Sequence, residues 1–174
     1  MATRVLLIRA VNLGGAKMPM AELRLLLEGL GATDVRTYIA SGNAVCDVAS
    51  DPAAFDRSVE RAVEAQFGFA RDVMSRDPIE LAAALAAYPF EVIEPSNSYV
   101  AFLSQAPTPA ASDAARDVAT GDDRWQVIGR ELHICYARGA GRPDLQMDAL
   151  TRRLGVAATA RNLRTVAALV ALAG

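Results

Sequence analysis

The chain has 174 residues and is poor in several residue types that mark particular classes of protein. It contains two cysteines, one histidine, one tryptophan and, among 18 basic residues, one lysine. Cys46 and Cys135 are too few for a disulfide scaffold, and they lie too far apart for a zinc-binding motif. With one histidine, His133, the chain also lacks the ligands of a typical metal site. The sequence therefore predicts a reduced protein without a bound metal.

Long apolar runs are also missing, although 52% of the residues are hydrophobic. No run approaches the roughly 18 residues that cross a bilayer. Only four apolar residues separate Arg4 from Arg9, which is too short a run for a signal peptide. A net charge of −2 argues against bulk electrostatic binding to nucleic acid or to an anionic membrane. We expect a cytoplasmic protein with a sizeable core and no membrane partner.

Residues 1–76 carry the pattern of a small α+β unit with an antiparallel sheet. Apolar spacing and breaking residues predict strand, helix, strand, strand, helix and strand in turn. The limits are a strand at Val5–Ile8, a helix from Pro19 to Gly31, strands at Val35–Ile39 and Ala44–Val48, a helix from Pro52 to Gly68, and a strand at Arg71–Ser75. This order is that of the ferredoxin-like unit.

Residues 77–174 are predicted to form a second α+β unit that echoes the first only loosely. The predicted order is helix, strand, helix, strand, strand, helix, helix. The hairpin turns at Gly129-Arg130, the next helix runs from Pro143 to Leu154, and the last helix begins at Arg161. His133 faces away from its two apolar neighbours on a predicted strand, so we expect it at the surface.

A glycine-containing loop and a tight turn are predicted to meet at one end of the first sheet. Glycines let the backbone approach a ligand, and N–H groups at a helix start point outward toward an anion. Arg9 and Lys17 add positive charge. The candidate ligand-binding residues are Arg9, Asn12, Gly14, Gly15, Lys17, Ser41, Gly42 and Asn43. They predict a pocket for a small anionic ligand such as a phosphate, although the loop is neither a Walker loop nor a dinucleotide-binding fingerprint.

The last helix adds two candidates to this set. Arg161 and Asn162 are predicted at its start, where backbone N–H groups are free. There they would either complete the pocket or hold the two units together. The residues identify no catalytic group and no cofactor, because no carboxylate pair and no nucleophile with its base stands out.

Two other interpretations of the loop stay open. The loop could dock a partner protein or single-stranded nucleic acid in a non-catalytic regulatory module, or its glycines could serve folding alone. Nucleic acid is the less favoured partner, because the predicted central strands lack the exposed aromatic residues with which RNA-binding sheets stack bases.

The same segments resemble a bacterial family called domain of unknown function 1697. The resemblance rests on Arg9–Gly15 with Lys17, Met18–Leu23, Thr37–Asn43, Gly129–Leu132, Thr159–Asn162 and Thr165-Val166. It implies an α+β fold and favours the loop and turn as the site, while the activity of the family is unassigned.

The chain departs from the usual residues of that family at four places. It has Ala10 in place of glycine, Ala40 in place of glutamine, Pro143-Asp144 in place of Ser-Lys, and Leu163-Arg164 in place of Trp-Asn. The loop and turn residues proposed for the pocket are intact.

Overall fold

The structure is a computed structural model that describes residues 1–12 and 15–174. Its internal contacts divide the chain into a first unit, Met1–Ala82 with Ala168–Gly174, and a second unit, Ala83–Ala167. Each unit holds one four-stranded antiparallel sheet. The predicted α+β class is therefore confirmed, whereas a domain boundary at residue 76 stays a prediction.

The first unit follows the predicted order of elements. They are β1 (Ala2–Ile8), α1 (Met20–Gly29), β2 (Thr33–Tyr38), β3 (Asn43–Val48), α2 (Pro52–Phe67) and β4 (Val73–Arg76). The strands lie in the order β2-β3-β1-β4, and each neighbouring pair is antiparallel. The predicted βαββαβ order and the antiparallel sheet are thus confirmed.

The core of the first unit forms because apolar residues recur on one face of each element. Leu6 and Ile8 alternate along β1, while Leu23 and Leu27 are one helical turn apart on α1, and all four are fully buried. Helix α2 begins where the Asp51 carboxylate accepts a hydrogen bond from Ala54 N at 2.9 Å. These local signals fix the two helices against one face of the sheet.

The second unit repeats the topology of the first. Its elements are β5 (Ser98–Leu103), α4 (Pro109–Ala115), β6 (Arg124–Ile128), β7 (Glu131–Cys135), α5 (Met147–Leu154) and β8 (Ala158–Asn162). The strand order β6-β7-β5-β8 corresponds to β2-β3-β1-β4. The echo is therefore complete in topology, although the sequence pattern showed only a loose one.

Helices α3 (Pro78–Ala86) and α6 (Leu163–Ala173) each contribute residues to both units. The start of α3 is a reciprocal cap, because Asp77 Oδ1 accepts from Glu80 N while Glu80 Oε2 accepts from Asp77 N. Across residues 1–12 and 15–174, no helix combines the length and the apolar character needed to cross a membrane.

Two predicted helix starts in the second unit are wrong. The segment Ala158–Asn162 pairs with β5 as an edge strand, and α6 begins only at Leu163. The five residues of β8 include one β-branched side chain, so this strand forms because it pairs with β5 and not because of local propensity. Helix α5 begins at Met147 instead of Pro143, because Asp123 Oδ2 accepts the N–H groups of Asp144 and Leu145 and holds them outside the helix.

The surface position expected for His133 is also wrong, since its side chain is fully buried. The Tyr88 ring packs edge-on against the imidazole, with the ring centroids 5.8 Å apart. Its cross-strand neighbour Val100 is fully buried as well. Both faces of this sheet are covered, so alternation along the strand does not separate a buried face from a wet one.

Candidate functional site

The loop after β1 and the turn between β2 and β3 lie together at one end of the first sheet. Ile8 N donates to Gly42 O at 2.8 Å, and Asn12 Nδ2 donates to Ala40 O at 2.6 Å. The strand directions bring these two segments together, because β1 and β2 run parallel with β3 between them. The described part of the loop therefore meets the turn, as the strand directions predict.

Asn12 organises the loop. Its amide nitrogen donates to Met18 O at 3.0 Å as well as to Ala40 O, and its Oδ1 accepts from Met18 N at 2.8 Å. Its backbone N donates to Ala16 O at 2.7 Å. The residue adopts a left-handed conformation with φ of 57°, which asparagine tolerates better than most residues. Asn12 thus holds the site in shape, and its side chain is committed to backbone partners.

The turn residues have structural roles as well. Gly42 has φ of 75°, and a Cβ there would come within 2.5 Å of Val11 Cγ2, so no other residue fits without displacement. Asn43 is fully buried and donates to Ser41 Oγ at 2.8 Å and to Tyr38 O at 3.2 Å. The turn is therefore held by its own hydrogen bonds at Ser41 and Asn43, and the loop packs closely on it at Gly42.

The two basic residues of the loop face different hollows. Lys17 borders one of about 420 Å³ whose other lining residues are Asn12, Met18, Pro19, Met20 and Ala40. Arg9 borders another of about 380 Å³, where its Nη1 lies 3.4 Å from Asp72 Oδ2. The second hollow carries three arginines and three carboxylates, so its charge is balanced internally. Among the residues that the structure describes, Lys17 is the only charged one that lines the first hollow.

The start of α1 adjoins the Lys17 hollow. Pro19 stands at the N-cap position, and within residues 1–12 and 15–174 no side-chain cap accepts a hydrogen bond from the first turn. Uncapped N–H groups and the helix dipole favour an anion at such an end. Lys17 is exposed, and no carboxylate of the described residues lies within 4.0 Å of its ammonium. The hollow therefore combines a free cation, an uncapped helix start and apolar walls.

The glycines of the loop add little that a ligand needs. Gly15 is exposed with φ of 93°, and a Cβ there would meet nothing within 4 Å. Glycine is favoured at position 15 because of its positive φ and not because a side chain would clash. Gly14 lies outside the described residues.

Arg161 and Asn162 lie in the second unit, at the end of β8. Asn162 is the last residue of β8, and its Oδ1 accepts from Thr165 N at 2.9 Å and caps α6. Arg161 is a strand residue that donates to Thr159 Oγ1 at 2.8 Å and to Ala160 O at 2.9 Å. Burial lowers the pKa of its guanidinium to about 10. The expectation that these residues complete a pocket or hold the units together stays a prediction.

The sequence interpretation missed a third and larger hollow, which lies in the second unit beside Trp125. The sequence signal for it was the single tryptophan with an arginine beside it, Arg124-Trp125. No group of three or more histidine, cysteine or acidic side chains in residues 1–12 and 15–174 is placed to hold a metal ion.

Comparison with known proteins gives a family and a fold. The sequence model of a family described as "protein of unknown function (DUF1697)" matches residues 1–133. A solved structure of the conserved bacterial protein SP0830 from Streptococcus pneumoniae is similar, with a TM-score of 0.72 and 18% sequence identity. The match covers 99% of this chain and 98% of that one. No curated protein matches.

Proposed function

The chain belongs to the DUF1697 family of proteins of unknown function, and from that premise we propose that it is a cytoplasmic protein that binds a small anionic ligand. The ligand is a phosphate ester or a carboxylate, held between Lys17 and the start of α1. One observation carries the proposal: the connection from first strand to first helix differs between two units that otherwise share their topology.

The two connections leave their sheets in the same way. In the first unit Ile8 N donates to Gly42 O at 2.8 Å, and in the second Leu103 N donates to Arg130 O at 2.9 Å. The residue after each strand then donates to the residue before the unit's fourth strand, at 3.0 Å from Arg9 N and 2.9 Å from Ser104 N. The two connections therefore begin with the same pattern of backbone hydrogen bonds.

Beyond that point the connections diverge. Residues 104–108 join β5 to α4 in five residues, whereas residues 9–19 use eleven to join β1 to α1. The longer one also holds Ala10 and Asn12 at φ of 49° and 57°, conformations that cost free energy in residues other than glycine. Since five residues suffice for the connection in the second unit, the greater length and the strained conformations of Ala10 and Asn12 support a binding role.

The helix starts differ in the same sense. Thr108 Oγ1 accepts from Ala111 N at 3.2 Å and caps α4, whereas α1 has no side-chain cap. An external anion would take the place of that cap in the first unit. Met18, Pro19 and Met20 line the same hollow, which favours an anion that carries a short apolar portion.

The proposal can be tested by a thermal-shift screen of phosphorylated and carboxylated metabolites, with an oligonucleotide included. A ligand at 100 times its dissociation constant stabilises by about 2.7 kcal/mol. Lys17→Gln should weaken binding of a hit by about 1.5–3 kcal/mol, the contribution of a hydrogen bond to a charged group. The matched control is Arg57→Gln, which removes one positive charge from an exposed site on α2 of the same unit.

Each result of the screen separates the open interpretations. Stabilisation by a small anion that Lys17→Gln weakens and Arg57→Gln does not would support the proposal. Stabilisation by the oligonucleotide alone would favour an interaction module. Equal binding of the hit by wild type and Lys17→Gln would contradict a site at Lys17, and silence throughout would favour a loop that serves folding or docks a protein.

A further inference from the structure

A hollow of about 750 Å³ lies in the second unit along β6, the edge strand of its sheet. Its volume is within the range of small-molecule sites. Consecutive residues of β6 line it, together with Phe90 and with Ser112, Arg116 and Thr120 on and after α4. It is separate from the hollow at Lys17, which lies wholly within the first unit.

Aromatic rings form part of its lining. Trp125 is half-buried, with one part of the indole packed on the core of the second unit. The Arg124 guanidinium lies over the Phe90 ring, 4.9 Å from its centroid. Flat faces of this kind bind planar rings by stacking, and a guanidinium held on a ring presents such a face as well.

The lining also has an excess of available positive charge. Its one carboxylate, Asp123, is 3% exposed and accepts hydrogen bonds from the backbone N–H groups of Ala137, Asp144 and Leu145. The Asp123 carboxylate is therefore occupied by backbone N–H groups and does not pair with the arginines that line the hollow. No carboxylate of the described residues lies within 4.0 Å of Arg124, which contacts the Phe90 ring and Cys135 Sγ.

Arg116 is available to a ligand for a different reason. It pairs with Asp113 one turn away at 3.5 Å, but both side chains are more than three-quarters exposed. A pair as exposed as this contributes little and is easily exchanged for another anion.

We propose that this hollow binds a planar aromatic anion, with the ring stacked beside Trp125 and the carboxylate or phosphate facing Arg116 and Arg124. The chemistry needs both parts of the ligand, because the walls supply flat apolar faces and the rim supplies guanidinium groups. This site is independent of the anion site proposed at Lys17.

Trp125 is the only tryptophan of the chain, so its fluorescence reports on this hollow. We would titrate the full chain with adenosine 5′-monophosphate and with phenyl phosphate while recording tryptophan emission. Adenosine and ribose 5-phosphate supply the ring and the anion separately. We expect a saturable change with at least one aromatic phosphate, at a concentration about tenfold or more below that needed for either half, since each part contributes its own interactions.

Variants locate the binding. Arg116→Gln and Arg124→Gln should each raise the dissociation constant about tenfold or more, the equivalent of losing one charge-assisted hydrogen bond. Arg153→Gln is the matched control, since Arg153 is exposed on α5 and does not line the hollow. Lys17→Gln should also leave the response unchanged. Because Arg116 is so exposed, its substitution should not affect folding, which circular dichroism would verify.

Three results would overturn the inference. The first is the absence of a saturable change with either aromatic phosphate. The second is a dissociation constant for adenosine alone, or for ribose 5-phosphate alone, that is as low as that for adenosine 5′-monophosphate. The third is a response that survives both Arg116→Gln and Arg124→Gln or that disappears with Lys17→Gln, because the signal would then arise elsewhere.

Discussion

The two sheets carry an arginine at the same position of one buried face. Val5 of β1 is paired with Arg76 of β4, and Val100 of β5 is paired with Arg161 of β8. Each guanidinium donates from Nη1 to the carbonyl of the preceding residue at 2.9 Å, and each residue is less than 9% exposed. The two units therefore share a frame that extends from topology to individual polar side chains.

Features that differ between the units are not required by that frame. The same two valines are paired on their other side with Val45 in the first unit and His133 in the second. The connection from first strand to first helix has eleven residues in one unit and five in the other. We therefore expect functional residues among the positions that differ between the units. Each difference can be tested by substituting the corresponding residues of both units.

The largest effect is expected at the glycines of the two hairpin turns. Gly42→Ala should lower the free energy of unfolding by about 2–4 kcal/mol, because the new Cβ meets Val11 and the backbone is left-handed. Gly129→Ala should lower it by about 1–2 kcal/mol, since its φ of 62° is strained but its nearest contact would be 3.7 Å away. Urea denaturation followed by circular dichroism measures both. Equal losses would contradict the close packing of the loop on the first turn.

A smaller difference is expected between the residues that fix the two connections. Asn12→Ala removes three hydrogen bonds and places alanine at a left-handed position, so the unfolding free energy should fall by about 2 kcal/mol. Thr108→Ala removes one helix cap and should lower it by about 1 kcal/mol. The same denaturation experiment compares them. A loss at Asn12 below that at Thr108 would mean that the long loop is not held as the hydrogen bonds indicate.

His133 occupies the position in the second unit that Val45 occupies in the first. This difference predicts that the stability of the second unit depends on pH. Burial lowers the pKa of His133, so below about pH 6.5 the unfolded chain binds a proton that the folded chain does not. The unfolding free energy should therefore fall on acidification below that pH, by at most about 1.4 kcal/mol per pH unit. His133→Val, which copies the first unit, should remove this contribution between pH 6.5 and 5. Identical pH profiles for the two proteins would contradict it.

The smallest effect concerns strain at the beginning of the long connection. Ala10→Gly should raise the unfolding free energy by about 0.5 kcal/mol, because relief of the left-handed conformation slightly outweighs the greater freedom of the unfolded chain. Ser104→Gly in the short connection should lower it, since Ser104 has no positive φ and its Oγ accepts from Ala157 N. A destabilising Ala10→Gly would show that this position is not strained.

Much of the first unit was predictable because its signals are local. Asp51 followed by Pro52, and Asp77 followed by Pro78, are helix starts that can be recognised without knowing the partner elements. The meeting of the loop with the turn at Gly42 followed from strand directions alone. These features depend on neighbours within a few residues or on topology, both of which the sequence pattern carries.

The features that escaped prediction depend on distant contacts. Strand β8 exists because β5 offers it an edge, and His133 is buried because both faces of its sheet are covered. Arg9 lies 3.4 Å from Asp72, which is far along the chain, and borders a different hollow from Lys17. No spacing rule within the loop could have shown that its two basic residues border different hollows.

The most direct test uses the fact that Lys17 is the only lysine. Protein labelled with ¹⁵N-lysine gives a single backbone amide signal, that of Lys17, which can be followed while a phosphorylated hit of the screen, or phenyl phosphate in its absence, is added. If the long connection is a binding site, this signal shifts saturably with the anion and does not shift with its uncharged counterpart. A signal that stays in place throughout the titration, while the anion binds elsewhere or not at all, would contradict the account.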